Sequence, residues 1–461
     1  MTAATKHFDA IIIGTGQAGP PMAARFAGAG KTVAIIERGK FGGTCVNTGC
    51  TPTKTLVASA YAIHVAGRGA EFGFSTGDVR VDFKRVKARK DAASAASSKG
   101  VEEWLRGMKT CTVIQGHARF QSSNTVVVND EILQADKIFI NVGGRAFIPN
   151  MPGIHDVPFL TNSSMMDIDF LPEHFIIVGG SYVGLEFAQI YRRFGSEVTI
   201  VEKGPRLIGR EDEDVSDAVR EILEAEGIHI RLNAECISLA KRDGGVAVGL
   251  TCEEGPPEVV GTHVLLAVGR TPNTNDLALD RAGVVTNPGG YITVDDQLQT
   301  NVPGIWALGD CNGRGAFTHT SYNDYEIVAD NLFNADHRRV SDRIPAYALF
   351  IDPPLGRCGM SEAEIKKSGR RALVAKYAMS EVSRAYEKSE TQGFIRICAD
   401  AETKQILGAA ILGIGGDEVI HVLLDVMYAK APYTIIERAM HIHPTVSEYL
   451  PFILAKLGPL A

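Results

Sequence analysis

The chain has 461 residues, 45% of them hydrophobic and 22% charged, with 47 Lys and Arg against 54 Asp and Glu. That length calls for about two to four domains in a water-soluble globular protein. The formal net charge of −7 argues against a basic nucleic-acid surface. Apolar runs such as AIIIG, FIIVGG and HVLLAVG are of strand length, far below a membrane span. MTAATKHFDAIIIG runs straight into a strand with no basic-then-apolar leader. A cytoplasmic protein with neither nucleic-acid nor membrane partners is expected.

The first unit is a strand at Phe8–Ile13, the turn Gly14-Thr15-Gly16-Gln17-Ala18-Gly19, a helix, and a second strand ending in Glu37, 23 residues after Gly14. Glycines in this pattern let backbone and helix N-terminus approach a pyrophosphate, and an acid so placed takes ribose hydroxyls. Next comes FGGTCVNTGCTPTKT, Phe41 to Thr55, with Cys45 and Cys50 separated by four residues. In a straight helix their Cα atoms would lie roughly 8–9 Å apart, whereas a disulfide wants about 4.4–6.8 Å, so pairing requires a bend. Gly49 and Pro52 supply the means. Taken alone, such a pair in an intracellular chain also reads as two unpaired core thiols. The other cysteines, Cys111, Cys236, Cys252, Cys311, Cys358 and Cys398, read as ordinary small core or surface residues. The Ala/Ser-rich stretch Asp91–Gly100 reads as part of a long surface helix.

A strand at 138–142 breaks into Gly143, Gly144 and Arg145. The opening unit then recurs: a strand at His174–Val178, the turn Gly179-Gly180-Ser181-Tyr182-Val183-Gly184, a helix, and a strand ending in Glu202, again 23 residues after the first glycine. Two such units imply two dinucleotides. Glu202 would repel a 2′-phosphate and so favours NADH, while Lys203, Arg206 and Arg210 close by leave NADPH open. His263 to Asn273, with Gly269 and Arg270, is the counterpart of the 138–145 segment, and TNVPGIWALGDC gives a strand ending at Gly309-Asp310. Asp310 suits binding of a polyol beside a nucleotide cleft, or a helix N-cap; spacing alone does not choose. From 346 onward strands and short helices of an α+β domain are expected, with an amphipathic helix in GDEVIHVLLDVMYAKA. In HIHPTVSEYLP a turn can bring Glu448 to His443, fixing the tautomer and raising the basicity of the ring; His441 reads as structural.

Together GTGQAG, GGTCVNTGCTPTK, GGSYVGLE, VGRTPN, the run from Thr300 to Asp310 and HPTVSE resemble the flavoprotein disulfide reductases, the class I pyridine nucleotide-disulfide oxidoreductase family that includes dihydrolipoamide dehydrogenase, glutathione reductase and mercuric reductase. The resemblance covers Asp9 to about Pro451. It implies an α/β fold with two Rossmann-like dinucleotide-binding domains and a C-terminal α+β dimerisation domain. The expected division is 1–155 and 276–345 for FAD, 156–275 for NAD(P)H and 346–461 for dimerisation. It implies FAD held by Gly14, Gly16, Gly19, Glu37 and Asp310, with Gly43, Thr44, Lys54, Gly143, Gly144, Arg270 and Gly309 also at the cofactor. NAD(P)H would sit on Gly179, Gly180, Ser181, Gly184, Glu202 and Gly269, with Tyr182 as a lid over the nicotinamide pocket. Lys54 would pair with Glu186 beside the flavin. Cys50 would be the thiol next to the flavin and Cys45 the thiol that meets substrate. His443 and Glu448 would serve the active site of the other subunit of a homodimer.

The implied activity is a relay: NADH reduces FAD, the flavin opens the Cys45–Cys50 disulfide, and Cys45 passes the electrons to a small-molecule or metal-ion acceptor while His443 handles the proton. No resident metal is expected. The wording CTPTKTLVASA and DPPLGRCGMSEAE looks most like the mercuric reductase-like branch. Dihydrolipoamide dehydrogenase and a slowly turning flavin-bound redox sensor are the alternatives.

Overall fold

In a computed structural model, which describes residues 5–251 and 255–460, the chain forms three main sheets. The first has five strands in the order Ile305–Ala307, Ile138–Ile140, Ala10–Ile13, Val33–Glu37, Cys111–Gln115, every neighbour parallel. Its central strands are continuous apolar runs because both faces are covered, as in any helix-flanked parallel sheet. Ile11, Ile13, Ala34 and Ile36 enter one core; Ala10, Ile12, Val33 and Ile35 enter the other. Each buried isoleucine is worth about 1.5–3 kcal/mol, which pins the register.

The second sheet repeats the plan with four parallel strands in the order His229–Arg231, Glu197–Val201, His174–Val178, His263–Leu266. The two parallel sheets are tied where their glycine-ended segments meet. Gly144–Ala146 pairs antiparallel with Arg270–Pro272, so the two matching motifs of the sequence lie side by side. The third sheet has six antiparallel strands between residues 346 and 459, covered by the helix Gly416–Tyr428.

Three expectations are refined. The strand before Gly309 stops at Ala307, and Gly309–Asn312 is a 3₁₀ turn whose N-cap is Leu308, so Asp310 is not an N-cap. The Ala/Ser-rich stretch lies inside a 24-residue helix, Phe83–Arg106, capped by Asp82, whose carboxylate accepts from Arg85 N at 3.1 Å. Cys311, Cys358 and Cys398 are buried and Cys111 half-buried; Cys252 and the side chain of Cys236 lie outside the described residues, as do residues 1–4 of the opening segment. No described helix is long and apolar enough to cross a membrane.

Candidate functional site

The bend required by the cysteine spacing is present. Gly43–Asn47 and Cys50–Gly67 are separate helices, broken at Thr48 and Gly49. Gly49 sits at φ −134°, ψ −117°, and a Cβ there would lie 2.9 Å from Thr44 O. Pro52 falls in the first turn of the second helix, where a missing N–H leaves no bond unmade. The loop is held from outside by the long helix, whose Ser98 Oγ donates to Phe41 O at 2.8 Å.

Cys45 and Cys50 stand as two free thiols, and each is the leading cause of the other's pKa shift. The Cys45 hydrogen bond is the main force lowering the Cys50 pKa to about 6; desolvation opposes it, and the Thr318 hydroxyl and Lys54 add to it. Thr318 Oγ1 lies 3.0 Å from Cys50 Sγ. Cys50 is also the first residue of an 18-residue helix, whose free N–H groups favour negative charge. Cys45 is pushed the other way, first by its bond to Cys50 and then by burial, and stays the protonated partner. Thr318 also lines a cavity of about 530 Å³ that includes Gln17, His319, Asn323, Arg343 and Tyr428.

Four residues after Cys50, Lys54 Nζ donates to both carboxylate oxygens of Glu186, each at 2.7 Å. Glu186 is buried on the helix Tyr182–Phe194 that follows the second glycine turn. Phe350 N donates to Glu186 Oε1 at 3.1 Å, and the Phe350 ring lies 4.5 Å beneath Lys54 Nζ.

The two glycine turns are built alike. Gly14 and Gly179 have φ of +104° and +115°. A Cβ on Gly19 would fall 2.3 Å from Gly14 O, and one on Gly184 2.1 Å from Gly179 O, so helix and turn meet as only glycine permits. Each acid orients its own turn. Glu37 accepts from Thr15 N at 3.0 Å and Gly39 N at 2.8 Å; Glu202 accepts from Gly180 N at 2.6 Å and Gly204 N at 2.7 Å. Glu37 also accepts from Thr15 Oγ1 at 2.6 Å, and the capacity left on each carboxylate suits a ribose hydroxyl. Ser181 is exposed and makes no capping bond.

The first turn fits FAD. A Cβ on Gly43 would sit 2.9 Å from Gly16 Cα, and Cβ atoms on Gly16 or Gly19 would each be 3.1 Å from Asn141 Nδ2. Asn141 is buried and that amide has no partner among the described residues, a donor at the floor of a side-chain-free cradle. Arg270 gathers the far wall: it donates from Nη2 to Gly144 O at 2.6 Å and from Nε to Asp310 Oδ2 at 3.3 Å. Gly143 and Gly269, both at positive φ, have open space where side chains would be. Thr44 is half-buried beside Cys45 in the short helix.

His443 Nδ1 lies 3.0 and 3.1 Å from the two oxygens of Glu448. The imidazole is 75% exposed and bonds to neither cysteine of its own chain. His441 Nδ1 lies 3.2 Å from the carbonyl oxygen of Ala439.

Several contacts at the site have no signal in the sequence. Asp324, buried, accepts from Gly309 N at 2.8 Å and Asn312 Nδ2 at 2.9 Å and fixes the turn that carries Asp310. Thr318, Phe350, Tyr347 and Glu211 likewise arrive from distant segments. A regular pattern around them could not have marked them.

Residues 8–324 match the family described as pyridine nucleotide-disulphide oxidoreductase, and residues 345–451 match its dimerisation domain. The probable pyridine nucleotide-disulfide oxidoreductase RclA of Escherichia coli (strain K12) is 35% identical over 96% of this chain and 98% of its own. A dihydrolipoyl dehydrogenase of Thermus scotoductus is 32% identical, covering 96% of each. A mercuric reductase of Streptomyces lividans is 31% identical over 98% of this chain and 96% of its own. Among solved structures, the Cu(II) complex of the HOCl-induced flavoprotein disulfide reductase RclA from Escherichia coli superimposes with a TM-score of 0.89 at 34% identity, over 98% of this chain and 99% of the other.

Proposed function

The chain belongs to the pyridine nucleotide-disulphide oxidoreductase family, whose members are FAD-dependent and use NAD(P)H, and from that premise we propose that it reduces a metal ion or a disulfide through Cys45 and Cys50. One observation carries this reading. The cysteine segment bridges the two nucleotide turns, with Gly43 against Gly16 of the first and Lys54 on Glu186 behind the second.

FAD, when bound, supplies an electron pair drawn from NAD(P)H. The chain's residues do the rest. Gly14, Gly16 and Gly19 receive the pyrophosphate, Glu37 the ribose and Asp310 the ribitol chain. Glu202 favours NADH, with NADPH admitted by Lys203, Arg206 and Arg210, and the Tyr182 ring covers the nicotinamide pocket. Two electrons and one proton open the Cys45–Cys50 bond, leaving Cys45 as a thiol and Cys50 as a thiolate. Cys50, the stabilised thiolate, would be the sulfur on the flavin side. Cys45, the protonated thiol, gives its proton to His443 of the partner subunit. As a thiolate it then attacks an acceptor sulfur, whose partner leaves as a thiol, and Cys50 displaces the second thiol; or it joins Cys50 in binding a metal ion. In either case the Cys45–Cys50 bond re-forms as two electrons leave, for a metal to one Hg(II) or to two Cu(II) ions in turn. The domain division 1–155 with 276–345, 156–275 and 346–461, the homodimer and a cytoplasmic setting belong to the same proposal.

A soft or borderline metal ion is the acceptor we favour. Paired sulfur donors suit one, the Escherichia coli relative has a solved Cu(II) complex, and a mercuric reductase is among the relatives. Dihydrolipoamide dehydrogenase is the second reading, favoured by the His443–Glu448 dyad and by the dihydrolipoyl dehydrogenase relatives. NADH oxidation with Cu(II), Hg(II), lipoamide, oxidised glutathione and a quinone ranks them, and slow oxidase activity alone would favour a sensor. Cys45→Ser should keep flavin reduction by NADH and lose turnover with the acceptor; full turnover in that variant would refute the relay.

A further inference from the structure

Tyr182, the first residue of its helix, donates its hydroxyl to Glu211 Oε1 over a long 3.3 Å, and Tyr347 donates to the same oxygen at 2.5 Å. The Tyr182 ring meets two aromatic neighbours edge-on, Tyr347 at 5.5 Å and 85° and Phe317 at 6.1 Å and 88°. Those two are stacked on each other at 5.4 Å. The ring is half-buried and also packs against the apolar core of its own unit, so its departure costs those contacts together with one stretched hydrogen bond.

Glu211 is completely buried at its side chain, and its second oxygen has no hydrogen-bond partner among the described residues, Arg357 Nε lying 3.7 Å away. The post is rigid. Its neighbour Asp212 accepts from Glu362 N at 3.1 Å and Ala363 N at 3.3 Å and pairs with Arg396, all in the C-terminal domain. Burial pushes both phenols up, reinforced at Tyr182 by Tyr347 and at Tyr347 by the charge of Glu211, so both stay protonated and donate to that carboxylate.

We propose that Glu211, held by Tyr347, is the latch that sets how readily Tyr182 leaves the nicotinamide pocket. Glu211 and Tyr347 are thereby positioning residues of the NAD(P)H half-reaction. This rests on the reading that the Tyr182 ring covers that pocket. With Tyr347 in place, the buried carboxylate keeps a donor when Tyr182 swings away. Without Tyr347, opening would strip that carboxylate of its last hydrogen bond, which is the costly case.

The two phenols therefore act with opposite sign. In anaerobic stopped-flow reduction of the holoenzyme by NADH, Tyr182→Phe should lower the apparent Kd by raising the open fraction. Tyr347→Phe should raise it. Each change is expected to be roughly three- to tenfold, the factor one hydrogen bond confers. Glu211→Gln, which keeps the shape but weakens both bonds, should follow Tyr182→Phe. The limiting reduction rate should hold in Tyr347→Phe and Glu211→Gln, a split that general loosening of the fold would not give. Shifts of Kd in the same direction for the two phenylalanine variants overturn the latch, as does an unmoved Kd in Tyr347→Phe alongside a changed one in Tyr182→Ala. An unmoved Kd in Tyr182→Ala instead removes the covering reading, and the latch with it.

Discussion

The Cys50 thiol is an acid whose strength is set by its neighbour. An ordinary cysteine titrates at about 8.5, so at neutral pH it is mostly protonated. With its pKa lowered to about 6, Cys50 is mostly thiolate at neutrality while Cys45 is its proton donor. In the reduced protein, thiolate absorbance at 240 nm should therefore rise with a midpoint near 6 for one sulfur. Cys45→Ala, which removes the donor, should move that midpoint upward, because the bond from Cys45 is the leading cause of the shift. A midpoint that stays put would show that Lys54 and the helix end do most of the work. The sign for stability follows. The folded value lies below the unfolded one, so the thiolate's contribution is complete above the unfolded value of about 8.5 and disappears as the pH falls through the folded value. Lys54 and Glu186 are the other residue-scale pair. Lys54→Met leaves a buried carboxylate with only Phe350 N, and since Lys54 is itself 34% exposed the expected loss is about 1–3 kcal/mol, read from thermal unfolding.

At the scale of elements, the glycine turns make the sharpest demand on sequence. Gly19→Ala puts a methyl 2.3 Å from a backbone oxygen that cannot retreat. A loss of about 1–3 kcal/mol is expected, together with a fall in bound flavin measured by the ratio of 450 to 280 nm absorbance. Gly28→Ala, at the other end of the same helix with open space around it, should be neutral or stabilising by up to about 1 kcal/mol. Equal losses in both would mean that helix packing, not the turn, governs the site. This contrast explains what the sequence made legible. The glycine spacing, the acids at Glu37 and Glu202, the broken cysteine helix and the Glu448–His443 turn are local patterns, each imposed by backbone geometry within a few dozen residues. The contacts that the sequence did not disclose are long-range. Thr318 on Cys50, Phe350 on Glu186, Tyr347 on Glu211 and Asp324 under Gly309 depend on how sheets meet, and a single serine, threonine or phenylalanine carries no periodic mark of that. The 3₁₀ turn at Gly309–Asn312 was hidden in the same way, because its shape is dictated by Asp324 from a later helix.

At the scale of the molecule, the C-terminal domain does two jobs. It grips the second nucleotide unit through Arg396, buried and paired with Asp212 and Asp214. Arg396→Met would leave Asp214 to Lys376 and Asp212 to Arg357 and two backbone N–H groups, and should cost about 1–3 kcal/mol in unfolding experiments.

The domain's other face is unlike a finished surface. Met440 is 98% exposed, Ile442 78% and Phe452 61%, in the segments that flank a dyad whose imidazole is itself 75% exposed. Exposed apolar groups in such a cluster ask for a covering partner, and a second copy related by a two-fold axis would present the same face in return. If His443 of the partner subunit serves Cys45, then Cys45→Ser and His443→Gln homodimers should each be inactive toward the acceptor, while both still reduce flavin with NADH. Mixed in equal amounts and allowed to exchange subunits, they should recover about one quarter of wild-type turnover, because half the dimers are then mixed and each mixed dimer has one complete site of two. Native mass spectrometry gives the fraction of mixed dimers independently. If mixed dimers form and acceptor turnover stays at zero, each site is built from a single chain, and the exposed dyad needs another explanation.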